Sequence, residues 1–254
     1  MQKVTQVEEL KSSAQGVSGH NHKLTASTCD LYIINLKKIP NRAPDMPILS
    51  GAEIERGRKF RDQQAYRHFV WGRWLLRTRI GERFAIHPNE VRIEKTNMGR
   101  PFFKSNGFEQ VDFNLSHSGD YVVLAIADGC RVGIDVECAA NTADADFLKP
   151  LVLSHPDQDA HKRALVEGFS VKEAVLKALG TGLAGGMDSF DLPDLPKPWG
   201  AYHAVVETGQ GAYWCQSVGL GSQQRSFVAF DRPGVIINRV DVTPTSATFS
   251  AQVS

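Results

Sequence analysis

The sequence predicts an α+β fold, a pseudo-twofold pair of similar subdomains, each an antiparallel sheet packed on a long helix. Three observations lead there. Most strand-like segments are joined by links too short for the crossover that parallel pairing needs. Two stretches, 53–79 and 162–179, have helical length and patterning. The order strand, long helix, set of strands also occurs twice, before and after about residue 128, although no stretch of sequence repeats.

The elements follow in chain order. Residues 1–27 are polar and mixed in charge, and their composition predicts a flexible segment. The first half spans 28–128. It opens with an apolar strand at 30–36 and a proline-bearing loop at 41–47. Ser50, with Glu53 three residues on, predicts a capping box at the head of the long basic helix 53–79. Alternating strands are expected at 91–94 and 111–116, and a buried one at 121–127. Asp128-Gly129 predicts a hairpin turn that returns as 132–136. The second half spans 129–233, with helical patterning at 143–151, a helix at 162–179 stopped by Gly180, and strands at 201–207, 211–218 and 226–230. Residues 234–254 form a C-terminal tail, rich in Ser and Thr from Val240 onward.

The bulk properties narrow the function. Apolar residues make up 42% of the 254, ample for a core. A formal net charge of +1 carries no polyanion signature, so no nucleic-acid partner is expected. No apolar run approaches the ~18 residues of a membrane span, and the N-terminus lacks the apolar core of a secretory signal. A cytoplasmic protein is therefore expected. Cys29, Cys130, Cys138 and Cys215 are scattered without a CxxC, which fits reduced thiols with packing roles rather than zinc.

Two motifs carry chemistry. In Gly133-Ile134-Asp135-Val136-Glu137 the alternation puts Asp135 and Glu137 on one strand face. In Phe169-Ser170-Val171-Lys172-Glu173-Ala174-Val175-Leu176-Lys177 the helix puts Glu173 and Lys177 one turn apart. If the three carboxylates converge they make an oxygen-rich site suited to Mg²⁺, with a lysine beside it to hold a phosphate oxygen. Read alone, each motif also suits a solvated strand or helix face. Asn114-Leu115-Ser116-His117-Ser118-Gly119 offers donors for an anion, or is simply a strand-end turn with an exposed histidine. Arg58 and Arg67 are nine positions apart, about two and a half turns, so they do not share one face tightly. Arg100 sits in the tight turn Gly99-Arg100-Pro101.

Taken together, Gly99-Arg100-Pro101, Asn114-Leu115-Ser116-His117-Ser118, Gly133-Ile134-Asp135-Val136-Glu137 and Phe169-Ser170-Val171-Lys172-Glu173-Ala174-Val175-Leu176-Lys177 resemble the signatures of the Sfp-type 4′-phosphopantetheinyl transferases, in the family's order and rough spacing. Tyr66 stands where the family often has an acidic or small residue before the arginine matched by Arg67. The resemblance implies a holo-carrier-protein synthase, a transferase that moves the 4′-phosphopantetheine arm of coenzyme A to a serine of an apo acyl or peptidyl carrier protein and releases 3′,5′-ADP. Fatty-acid, polyketide and nonribosomal-peptide carriers remain open. Asp135, Glu137 and Glu173 are implied as Mg²⁺ ligands, with Glu173 also the general base. Lys177 is implied as catalytic and phosphate-binding. Arg58, Arg67, Arg100 and His117, with Ser116 supporting His117, are implied for the 3′-phosphate and adenine end of coenzyme A. A monomer is implied, with coenzyme A in the cleft between the halves. The competing readings are another Mg²⁺-dependent phosphodiesterase and a catalytically silent module that binds coenzyme A or carrier protein.

Overall fold

The structure, a computed structural model, describes residues 27–39, 48–104, 111–138, 145–153, 162–182, 186–193 and 203–244. The expected N-terminal flexible segment therefore lies outside the described residues, apart from Ser27. The architecture is α+β, with four layers ordered helix, sheet, sheet, helix.

The first sheet has the order β10-β1-β5-β4, made of β1 (Thr28–Asn35), β4 (Val111–Ser118), β5 (Tyr121–Asp128) and β10 (Ile236–Asp241). Helix α2 (Gln63–Phe84) covers one of its faces, burying Trp71, Trp74, Leu75 and Ile80 against Ile34, Leu124 and Ile126. The alternate residues Leu31, Ile33, Val123 and Ala125 point the other way. There they meet Ile134, Val136, Val228 and Phe230 of the second sheet. That sheet has the order β6-β9-β8-β7, from β6 (Val132–Cys138), β7 (His203–Thr208), β8 (Gly211–Ser217) and β9 (Gln224–Phe230). Its far face carries α4 (Lys162–Leu179), through Val171, Val175 and Ala178 against Cys215, Phe227 and Ala229. β5, central in this stack, is buried on both faces, which is why it reads as a continuous apolar run. A two-stranded ribbon, β2 (Ile93–Lys95) with β3 (Pro101–Phe103), holds the Gly99 turn.

Several elements differ from expectation. The long basic helix is two helices. α1 (Gly51–Gly57) has the expected Ser50–Glu53 capping box, and α2 starts afresh after Asp62, whose carboxylate accepts from the Ala65 N–H. The segment 143–151 condenses to a 3₁₀ turn, Asp146–Leu148, and the single-turn α3 (Lys149–Val152); residues 141–144 lie outside the described set. The tail also contributes structure. β10 returns to the first sheet and lies parallel to β1, the one parallel pair among the described residues. Its weak alternation hid it, because it is an exposed edge strand with only one neighbour.

The largest difference concerns β6. It is not the hairpin partner of β5; it pairs with β9. Its other edge faces β4, and the two strands are joined by side chains. Asp112, Asn114, Ser116 and Ser118 of β4 accept in turn from the main-chain N–H groups of Val132, Ile134, Val136 and Cys138, at 2.9, 3.0, 3.2 and 3.0 Å. An edge strand must have its outward N–H groups satisfied when it is buried. Here the polar residues at alternate positions of β4 do so and splice the halves together.

Candidate active site

The site grows from this seam. Asp135 follows Gly133 on the β6 face that meets α4. A Cβ on Gly133 would stand 2.0 Å from the Ala174 carbonyl oxygen and 2.5 Å from the Ala178 nitrogen. Helix and strand thus cross in backbone contact, and only glycine permits it. One strand pitch further on, Asp135 lies under the helix face that carries Ser170 and Lys177. Its Oδ2 accepts from Ser170 Oγ at 2.8 Å and its Oδ1 from Lys177 Nζ at 2.6 Å. Ser116 closes the group from the seam, donating to Asp135 Oδ1 at 3.3 Å and accepting from Lys177 Nζ at 3.2 Å. The Asp135 side chain is 4% exposed and the Lys177 side chain 25%. The lysine therefore links a buried carboxylate to the open cleft.

Glu137 and Glu173 complete the acidic cluster, and neither has a hydrogen-bond or ion-pair partner among the described residues. Burial, the Asp135 charge and, more weakly, Glu173 push the Glu137 carboxyl up to about 7, with Lys177 opposing. Burial also raises Glu173, helped by Asp135 and opposed by Lys177. Among the described residues no group of three His, Cys, Asp or Glu side chains is arranged to hold a metal ion as they stand. The Lys177 ammonium is the cation on Asp135. The donor set still suits a hard dication, because the carboxylates share one lysine and two of them lack partners.

A cleft of about 460 Å³ lies along the boundary of the halves and meets this cluster through Lys177. Its cationic lining is Arg56, Arg73, Arg100 and Lys177, with His117 beside them, and Phe60, Phe69 and Leu76 form much of its apolar wall. Arg56 and Arg73 lie against the Phe69 ring, at 5.1 and 5.7 Å from its centroid. Arg100 bridges the halves, donating to Asp112 Oδ2 at 2.6 Å and to the Val132 carbonyl at 2.8 Å, while its buried Nη1 has no partner. Desolvation by the cleft walls and the neighbouring His68 and Lys177 lower His117. The ring is nonetheless exposed, which weakens the desolvation part, and a histidine lowered from its ordinary value is an uncharged donor at neutral pH.

Of the expected site residues, Arg100, His117 and Lys177 line this cleft. Asp135 and Ser116 are bonded to Lys177, and Glu137 and Glu173 are coupled electrostatically to Asp135 and Lys177 without lining the cleft. The structure does not bring Arg58 or Arg67 there. Arg58 is exposed and pairs with Glu55 at 3.6 Å. Arg67 turns away, donating to the Leu36 carbonyl at 2.9 Å. Arg56 and Arg73 occupy the cleft instead. Arg58 and Arg67 were implied by the resemblance, not by spacing, and Arg67 lies on the same helix as Arg73. Counting from the α2 cap places Phe69, Gly72, Arg73 and Leu76 on one face.

Comparison with known proteins agrees with this architecture. Residues 45–128 match the model described as 4′-phosphopantetheinyl transferase, N-terminal, and residues 131–229 match that of the 4′-phosphopantetheinyl transferase superfamily. The chain belongs to the 4′-phosphopantetheinyl transferase superfamily. It is 31% identical to a phosphopantetheinyl transferase of Thraustochytrium sp., over 58% of this chain and 58% of that protein. It is 30% identical to the 4′-phosphopantetheinyl transferase HetI of Nostoc sp., over 59% of this chain and 70% of that protein. The 4′-phosphopantetheinyl transferase of Bacillus subtilis is 28% identical, over 58% of this chain and 67% of its own length. The match to the first of these thus spans little more than half of that relative. Among the described residues no helix is long and apolar enough to cross a membrane.

Proposed function

We propose that this chain transfers the 4′-phosphopantetheine arm of coenzyme A to a serine of an apo acyl or peptidyl carrier protein, as a cytoplasmic monomer with the cleft enclosed in one chain. The observation that carries the reading is the joining of the acidic cluster, through Lys177, to a cation-lined cleft between two halves. Phosphate-rich coenzyme A suits that lining, and the pyrophosphate belongs where the cleft meets the carboxylates.

Asp135, Glu137 and Glu173 are the residues that would hold Mg²⁺. When bound, it neutralises charge on the pyrophosphate oxygens. The remaining roles fall to the chain's own groups. The carrier serine hydroxyl attacks the β-phosphorus, 3′,5′-ADP leaves, and Glu173 accepts the hydroxyl proton. Burial raises Glu173 from its ordinary value in the metal-free protein, and its position beside Lys177 suits it to take the proton. Lys177 holds a phosphate oxygen and stabilises the charge that develops on the leaving group. Arg100, with one free donor, and uncharged His117 hold the distant phosphate. Arg56 and Arg73 take the place proposed for Arg58 and Arg67, since forked guanidinium donors match phosphate oxygens and Phe69 between them suits a nucleotide base.

The test is to incubate the protein with coenzyme A, Mg²⁺ and an apo carrier and weigh the carrier. A gain of about 340 Da, the transferred arm, supports the transferase. Bound coenzyme A without a gain on any carrier class selects a silent binding module. Cleavage of coenzyme A without transfer selects a phosphodiesterase.

A further inference from the structure

His68 is a histidine that none of the site motifs contains. It lies on α2, 7% exposed, with its ring stacked on that of His117, centroids 4.5 Å apart and planes 18° from parallel. Its Nε2 is 2.8 Å from the carbonyl oxygen of Gly119, in the turn just after His117. A carbonyl only accepts, so Nε2 carries the proton and donates, which fixes the tautomer. Gln64, one turn earlier on α2, donates to the same oxygen at 2.7 Å. The turn that follows His117 is thus pinned to α2 at two points, and the imidazole itself is held flat against a second ring.

We propose that His68 is a positioning residue for His117, holding that imidazole in the orientation in which it meets the terminal phosphate of the cofactor. The proposal rests on the assignment of His117 under the proposed function. An imidazole on a strand end rotates freely about its side-chain bonds unless something packs on its face. A fixed ring loses less entropy on binding. His68 does this without adding a hydrogen bond to the ligand.

The stack also shapes the charge of the pair. His117 faces His68 from α2, Lys177 from α4 and Asp135 from β6. His68 faces the Gly119 carbonyl, Asp62, Arg67 and Asp120. Two stacked rings repel when both are protonated, so the pair accepts its first proton more readily than its second. Replacing His68 by an uncharged ring removes that repulsion, and the His117 midpoint should rise.

The test uses the full chain, with His68→Ala, His68→Phe and His68→Gln compared with wild type. Calorimetry at fixed Mg²⁺ measures affinity for coenzyme A and for dephospho-coenzyme A, which lacks the 3′-phosphate. His68→Ala should weaken coenzyme A on the order of tenfold and leave dephospho-coenzyme A within about twofold. His68→Phe keeps a flat ring on His117 and should recover most of the loss. His68→Gln keeps only a donor toward Gly119 and should not. Equal losses for Phe and Ala, or rescue by Gln but not Phe, overturn the proposal. A wild type that binds both cofactors alike overturns instead the phosphate role of His117. Imidazole NMR then decides the role of His68. The His117 resonances should broaden and shift in His68→Ala and remain sharp in His68→Phe. Unchanged resonances in His68→Ala refute positioning. Should that variant not fold, the Phe and Gln variants give the same comparison.

Discussion

Gly133→Ala is the smallest change that should disable the site from outside it. The added Cβ would stand 2.0 Å from the Ala174 carbonyl oxygen, and contacts under 3.0 Å do not occur, so α4 must retreat from β6 by at least the difference, about 1 Å. The two bonds that span this crossing, Ser170 to Asp135 at 2.8 Å and Lys177 to Asp135 at 2.6 Å, would stretch to roughly 3.6–3.8 Å, outside hydrogen-bonding range. Asp135, 3% exposed, would lose the hydroxyl and the ammonium that satisfy it. Overpacking of this kind costs about 1–3 kcal/mol, several degrees of Tm for a chain of this size. The loss of activity should be larger than that loss of stability suggests. A displacement of ~1 Å at a reacting centre costs on the order of 10²-fold in rate. The assay pairs thermal melting with single-turnover loading of a carrier at a temperature where the variant is folded. Gly51→Ala is the control, because a Cβ there meets nothing within 4 Å. Trimming Ala174 to Gly should not rescue, since the clash is with main-chain atoms. Wild-type loading and an unchanged Tm for Gly133→Ala would refute the reasoning.

Three further outcomes are expected. Asn114→Ala leaves the buried Ile134 N–H without its acceptor and should cost about 1–3 kcal/mol, read by urea unfolding. In the metal-free protein Glu137, at about 7, binds a proton that the unfolded chain, near the model value 4.5, has released. Stability should therefore fall as pH rises from about 4.5 to about 7, and the slope attributable to this group should vanish in Glu137→Gln and shrink when Mg²⁺ is added. Arg73→Ala should raise the coenzyme A KM by on the order of tenfold with a smaller change in kcat, while Arg58→Ala, which alters an exposed pair with Glu55, should leave both unchanged. Equal effects of the two arginines in steady-state kinetics would count against the cleft assignment.

Much of the fold was legible because its signals are local. The Ser50–Glu53 capping box, the Gly180 stop and the continuous burial of β5 are each written in a few neighbouring residues. The role of β6 was not. Asp128-Gly129 followed by an apolar run is a hairpin signal, and only the spacing of Asp112, Asn114, Ser116 and Ser118 hints that β4 meets the next strand through side chains rather than main chain. Polar residues at every second position of a buried strand are costly unless each has a partner, and here the partners are the N–H groups of β6. The acidic cluster was legible in part, for a related reason. Period two in β6 puts Asp135 beside Glu137, and one helical turn in α4 puts Glu173 beside Lys177; that the two pairs meet was implied only by the resemblance. The arginines were not, because Arg58 and Arg67 came from the resemblance and which face of α2 turns to the cleft is set by packing: Arg67 reaches the Leu36 carbonyl instead. Nor was His68, whose significance lies in a ring that another strand brings against it.

The central claim is that the crossing of β6 and α4 is the reaction centre, with Glu173 taking the proton from the attacking hydroxyl. Glu173→Gln tests it most directly, because it keeps the volume and one oxygen while removing the proton acceptor. Coenzyme A affinity in Mg²⁺ should stay near wild type, and single-turnover loading of an apo carrier, followed by mass, should fall by about 10²-fold or more. Loading at near the wild-type rate would contradict the account, leaving Glu173 with no part in the proton transfer.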